Sequence, residues 1–238
     1  MNQVLQENPF LKLDPLKAWG PASFDMAFPL VKAVNIRPGM RVLEVGGGLG
    51  HIATTISKHW NVSVVTLEPW AENGNNEIQA YAAEQDVENQ VLQLKIEAQS
   101  MPFADNTFDA VISIGSFEMI GDQRPLALSE MIRVAKPGSR IGIAEPMCQP
   151  VPMPDELVKL DTEFSMGFQA CFKTLDWNCN LFASQGLLVT ESYYFDEAYQ
   201  WWLNYRDLRR ISEAEQELIT LDNGRWISLG LLVGEKRV

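Results

Sequence analysis

Residues 41–50 read RVLEVGGGLG, an apolar run that delivers Glu44 and then Gly46, Gly47, Gly48 and Gly50. Positions without side chains let backbone amides approach a ligand closely. Glu68 closes the next apolar run, in VSVVTLEP, with Pro69 behind it. A carboxylate at such a strand end can accept hydrogen bonds from both hydroxyls of a ribose. The glycine spacing is G-x-G-x-G, and His51 stands where a dinucleotide site normally has its third glycine. Glu44, just ahead of the turn, would repel a pyrophosphate and suits a cationic ligand. These residues offer the chemistry for holding a phosphate-free, positively charged nucleoside cofactor.

Four segments then fall in a fixed order: VLEVGGGLG, Glu68, IEAQSMPFADNTFDAVIS and MIRVAKPGSRIGIAEP. In that order they resemble the class I S-adenosylmethionine-dependent methyltransferase superfamily, of small-molecule type, over residues 39–146. The resemblance implies S-adenosylmethionine as methyl donor and S-adenosylhomocysteine as product. It puts Glu68 on the ribose, the Glu97 side chain on the adenine amino group and the Ala98 amide on the adenine ring nitrogen. Glu44, Gly46, Gly47, Gly48, Gly50, His51, Pro69, Ile114 and Gly115 complete the expected cofactor set. The chain departs from the family at Glu44 and Glu97, where aspartate is common, at Ile96, often glycine, and at Gly47, often cysteine, alanine or serine. Gly46→Val is expected to block the cofactor and leave a folded chain.

A sulfonium makes its methyl carbon electrophilic, so the protein has mainly to align an acceptor opposite the departing sulfur and exclude water. No metal is required, and with His51 and His59 as the chain's histidines a histidine metal site is not expected. A base is needed where the acceptor must lose a proton, and Glu118, in IGSFEMIG, is the candidate for acceptor contact or for that base. The acceptor pocket is expected over the carboxyl ends of the strands, closed by residues 11–28 and 147–210. Both segments are aromatic, and Trp19, Phe24, Tyr194 and Trp201 are candidate substrate contacts. That composition favours an apolar or cationic small molecule.

Positioning such a site takes alternating strands and helices. Strands are expected over 41–45, 62–67, 91–96, 108–114 and 140–144, with helices over 49–60, 75–86 and 125–135 between them. One or two helices are expected over 15–35, broken at Gly20-Pro21. Past residue 145 the pattern gives helices over 155–172, 174–185 and 197–211 and strands over 187–195 and 226–235. The fold class is α/β: a doubly wound, mostly parallel seven-stranded sheet with helices on both faces. It has an antiparallel C-terminal edge strand, an N-terminal helical cover and an insertion after the fifth strand. The expected organisation is one domain over 1–238: cover 1–38, core 39–146, lid and helix 147–186, C-terminal strands and helix 187–238.

The whole-chain balance agrees. Apolar residues are 46% and charged residues 21%, ordinary for a globular protein. A net charge of −12 opposes a nucleic-acid partner; the short run Arg206, Arg209, Arg210 reads as a solvated helix face. Residues 1–11 carry Glu7 and neither an unbroken apolar run nor an early positive cluster, so no signal peptide or membrane anchor is expected and the expected location is cytoplasmic. Three cysteines imply no disulfide framework. A homodimer is left open. The competing readings are a nicotinamide-dependent oxidoreductase, which lacks here its glycine spacing and a Tyr-x-x-x-Lys relay, and a catalytically silent binding module of the same fold.

Overall fold

A computed structural model describes residues 7–70 and 76–237. The strands are β1 (Arg41–Val45), β2 (Ser63–Leu67), β3 (Val91–Leu94), β4 (Phe108–Ile114), β5 (Ala135–Cys148), β6 (Leu187–Tyr194) and β7 (Ile227–Lys236). They form one seven-stranded sheet in the order β3-β2-β1-β4-β5-β7-β6. Neighbours from β3 to β5 pair parallel, whereas β7 runs antiparallel to both β5 and β6. The antiparallel strand of that edge thus lies between β5 and the outermost β6.

Apolar residues supply both faces because side chains alternate along a strand. On β4, Ala110, Ile112 and Ile114 join one core and Val111 the other. The first core takes α1 (Ser23–Ala33), α2 (His51–Trp60) and α3 (Asn76–Glu84), with Leu30, Ile56 and Ile78 buried. The second takes α4 (Arg124–Val134) and α7 (Leu175–Ser184), with Leu128, Met131 and Phe182 buried. Covering both faces is what lets the central strands be apolar throughout. The expected start of the third helix, Asn75, and residues 1–6 of the N-terminal segment lie outside the described residues.

Several boundaries differ from the sequence expectation for local reasons. The stretch expected as one helix over 155–172 is two, α5 (Asp155–Glu163) and α6 (Phe168–Cys171). Ser165 and Gly167 adopt positive φ between them, and the Asp161 carboxylate accepts from the amides of Phe168 and Gln169, starting a new helix. The N-terminal cover holds two short 3-10 turns, Pro9–Lys12 and Pro15–Lys17, ahead of α1. The Lys136-Pro137-Gly138 turn is carried inside β5, where pairing with β4 jumps from Phe108↔Ala135 to Ala110↔Arg140. After α8 (Ala198–Asp207), a further helix, α9 (Glu213–Asp222), was not expected. Its signal is present in Ser212-Glu213-Ala214-Glu215, a capping pattern in which the Ser212 hydroxyl accepts from the Glu215 amide.

Candidate functional site

The carboxyl ends of β1, β2 and β4 open into a cavity of about 670 Å³. Its floor is the glycine turn. The amides of Gly46 and Gly47 both donate to the Leu67 carbonyl, at 2.8 and 3.1 Å, which binds the turn to the end of β2. Gly46 has φ +77°, and a Cβ there would sit 2.0 Å from Ser116 Oγ; one on Gly47 would sit 1.7 Å from Thr66 Oγ1. Gly50, at φ +76° directly before α2, would collide with Ile78. Three glycines are therefore required by packing under and around the turn. A Cβ on Gly48 meets nothing nearer than Trp19, at 3.5 Å. The face that a ligand would approach is the one at Gly48.

Glu68 is 4% exposed and reaches under this face. Its Oε2 accepts from the Gly48 amide at 2.9 Å and its Oε1 from the Trp70 amide at 3.0 Å. Each oxygen keeps a further lone pair, so the carboxylate can still accept from ligand hydroxyls. Gln93 fixes the turn from the other side, its Nε2 donating to the Gly48 carbonyl at 2.9 Å.

Most of the residues expected to hold a cofactor meet here. Gly46, Gly47, Gly48, His51, Glu68, Pro69, Glu97, Ala98, Ile114 and Gly115 all line the cavity. The His51 ring stacks on Tyr81 at 4.2 Å, and burial, with Lys17 nearby, lowers its pKa and favours the neutral form. Glu44 and Gly50 are not among the lining residues. Glu44 is 1% exposed beneath the turn, where its Oε2 would lie 2.7 Å from a Cβ on Gly47 and has no hydrogen-bond partner. Burial raises its carboxyl to about 7, against the opposing pull of Thr66. The structure thus places Glu44, expected among the cofactor contacts, beneath the turn and off the cavity wall.

Beyond the turn the cavity becomes aromatic. Trp19 and Phe24 line it as expected, together with Phe168, Phe172, Trp202 and Tyr205, which the sequence did not single out. Tyr194 and Trp201 do not line it. The Tyr194 hydroxyl donates to the Cys148 carbonyl and accepts from the Leu175 amide, both at 2.8 Å, bracing β5 against α7. Trp201 packs on Phe195 with ring centroids 5.1 Å apart. On α8 the cavity face carries Trp202 and Tyr205, three residues apart, so the neighbouring position 201 turns aside.

The inner end carries charge. Glu118, in a 3-10 turn after β4 (Phe117–Gln123), lines the cavity and is 4% exposed. Glu145 on β5 and Arg124 at the start of α4 are buried beside it. Burial raises both carboxyls, and Arg124 opposes the rise. The Arg124 Nε donates to the Gly121 carbonyl at 2.9 Å, and its guanidinium lies over Trp177 at 4.7 Å. Neither Glu145 nor Arg124 was singled out from the sequence; they flank Pro146 and Pro125 in segments read as structural. Among the described residues there is no cluster of three metal-ligating side chains, and no helix is long and apolar enough to cross a membrane.

The arrangement has counterparts among known proteins. Residues 43–143 match the family described as "Methyltransferase domain". An uncharacterised protein of Mycobacterium tuberculosis is 37% identical over 121 residues, covering 50% of this chain and 42% of the relative. The ubiquinone/menaquinone biosynthesis C-methyltransferase UbiE of Burkholderia multivorans is 32% identical over 122 residues, 50% of this chain and 48% of the relative. The chain thus spans about half the length, or less, of these curated relatives. A geranyl diphosphate C-methyltransferase from Streptomyces coelicolor, solved with S-adenosyl-L-homocysteine, shares the fold, with a TM-score of 0.75 at 14% identity over 89% of this chain and 78% of that one. The family match spans the glycine turn and the Glu68 carboxylate that reaches under it, so residues 43–143 are similar to a methyltransferase domain.

Proposed function

We propose that the chain transfers the methyl group of S-adenosylmethionine to a small-molecule acceptor by in-line displacement, leaving S-adenosylhomocysteine. The observation that carries this reading is the Gly48 face: it lines the cavity beside Trp19, while its amide is fixed by a Glu68 carboxylate that keeps free lone pairs. A pyrophosphate would meet the Glu68 carboxylate at this turn; a sulfonium and ammonium find favourable charge.

The bound cofactor supplies an electrophilic methyl group. The chain's own residues do the rest. Glu68 accepts from the ribose hydroxyls. Glu97 and the Ala98 amide sit on the cavity wall where an adenine edge can meet an acceptor and a donor. Trp19, Phe24, Phe168, Phe172 and Trp202 present an apolar wall that excludes water and fixes the acceptor's approach. The names of the relatives, a quinone-biosynthesis C-methyltransferase and a geranyl diphosphate C-methyltransferase, support a small-molecule acceptor.

Calorimetry with S-adenosylmethionine, S-adenosylhomocysteine and NAD tests the reading. Both adenosyl ligands are expected to bind, and Glu68→Ala is expected to weaken them by about 1–3 kcal/mol, the cost of lost charge-assisted hydrogen bonds. Binding of NAD with no binding of either adenosyl ligand would reject it. An extract screened for S-adenosylhomocysteine formation, followed by the acceptor's mass shift, identifies the substrate.

A further inference from the structure

Glu118, Glu145 and Arg124 form a buried set at the inner end of the cavity that an acceptor reacting through a free lone pair would not need. They are 4%, 1% and 1% exposed. The two carboxyls are within hydrogen-bonding reach of each other. Two carboxylates cannot bond to one another, so such a contact requires a proton between them. Oε2 of each, and Nη1 of Arg124, has no hydrogen-bond partner. Of the two acids, Glu145 is the deeper and is pushed well up by burial and by the charge of Glu118. Glu118 is also raised by burial, but the hydrogen bond from Glu145 and the Arg124 charge favour its ionised form. Burial thus favours a proton held between the two acids, and Glu118 is the one on the cavity wall. Cys171, on α6, also feels Glu118 and is kept as a thiol by burial.

We propose that Glu118 receives a proton shed by the acceptor, with Glu145 and Arg124 as its positioning residues. The acceptor is then of the class that must lose a proton to be methylated: a hydroxyl or an activated carbon. This rests on the methyl-transfer reading. The carbon–sulfur bond breaks with its electron pair staying on sulfur. The acceptor oxygen or carbon forms the new bond to the methyl carbon, and its proton passes to the Glu118 carboxylate. A positive sulfonium and a negative Glu118 become a neutral thioether and a neutral acid, so the site's net charge does not change. A low-dielectric pocket favours such a reaction.

Proton exchange on ligand binding tests this without knowledge of the acceptor. S-adenosylmethionine and S-adenosylhomocysteine differ in charge by the sulfonium alone. Calorimetry of each in two buffers of different ionisation enthalpy, near neutral pH, counts the protons exchanged. A sulfonium against Glu118 holds it ionised, so S-adenosylmethionine is expected to expel a larger fraction of a proton than S-adenosylhomocysteine. Glu118→Gln loses that difference. Glu145→Gln keeps it, because the amide donates the same hydrogen bond, whereas Glu145→Leu moves it to higher pH because the bond favouring the charged form is gone. Equal exchange for both ligands in the unaltered chain would overturn the proposal. Binding of neither ligand would reject the methyl-transfer reading itself. With cofactor loaded, methylation of phenols or β-diketones is expected, and turnover of tertiary amines alone would also overturn it.

Discussion

Glu44 shows at the residue scale how an acidic position in a glycine motif can be buried away from the cavity beside it. It is buried beneath Gly47, and burial lifts its carboxyl from 4.5 to about 7. Below the lower value it is protonated in both folded and unfolded chains. Between the two values the unfolded chain ionises while the folded one holds its proton, so folding loses stability as pH rises through that window. At about 1.4 kcal/mol per unit, the loss from this group is of order 3 kcal/mol. Glu118 and Glu145 act in the same direction. Glu44→Gln is therefore expected to shrink the fall in urea-unfolding free energy between about pH 5 and about pH 8. An unchanged fall would mean that Glu44 does not carry this loss. The residues of the motif were legible in the sequence, but which of them face the ligand was not. In RVLEV, β1 buries Val42, Leu43, Glu44 and Val45 alike, so an alternation rule could not expose Glu44.

At the element scale, the glycine turn divides into positions that packing requires and one that is open. Gly46→Val, expected from sequence to block a ligand and spare the fold, instead drives a β-branched side chain into Ser116 at positive φ. Ser116 Oγ itself donates to the Val45 carbonyl at 2.7 Å, so the clash also strikes the junction of β1 and β4. A loss of about 3 kcal/mol or more in stability is expected, read by thermal unfolding without ligand. Gly48→Ala, with room toward Trp19, is expected to cost about 1 kcal/mol through its φ of +51° and to weaken adenosyl-ligand binding. Equal stability of both variants would mean that the turn is not divided in this way. The strand and helix pattern of the core was legible because apolar runs and glycine turns are local signals. The split of 155–172 was not, because it depends on Asp161 capping a helix seven residues on.

For the whole molecule, residues 17–20 line the cavity and are held from a part of the chain distant in sequence. Arg210 Nη1 donates to the carbonyls of Leu16 and Ala18, and the Tyr205 hydroxyl donates to that of Trp19. Arg210, read from sequence as part of a solvated helix face, therefore fastens the cover. Arg210→Ala is expected to speed release of S-adenosylhomocysteine about fivefold, for the loss of about 1 kcal/mol of hydrogen bonding. Stopped-flow displacement measures this, and an unchanged release rate would show that the strap does not limit escape. These contacts span more than 180 residues of sequence, beyond the reach of any motif.

The position of β7 has a consequence for assembly. The parallel pairs among β3, β2, β1, β4 and β5 all form within the first 148 residues, so the half bearing the glycine turn can condense while the rest is still being synthesised. β6 cannot, because its partner in the sheet is β7, residues 227–236. Until that last strand slots in, the segment bearing Phe168, Phe172 and Trp202 has no wall to close on. A nascent chain would thus possess its glycine turn well before it possessed the aromatic wall of the cavity, an order set by how non-local strand pairing delays folding.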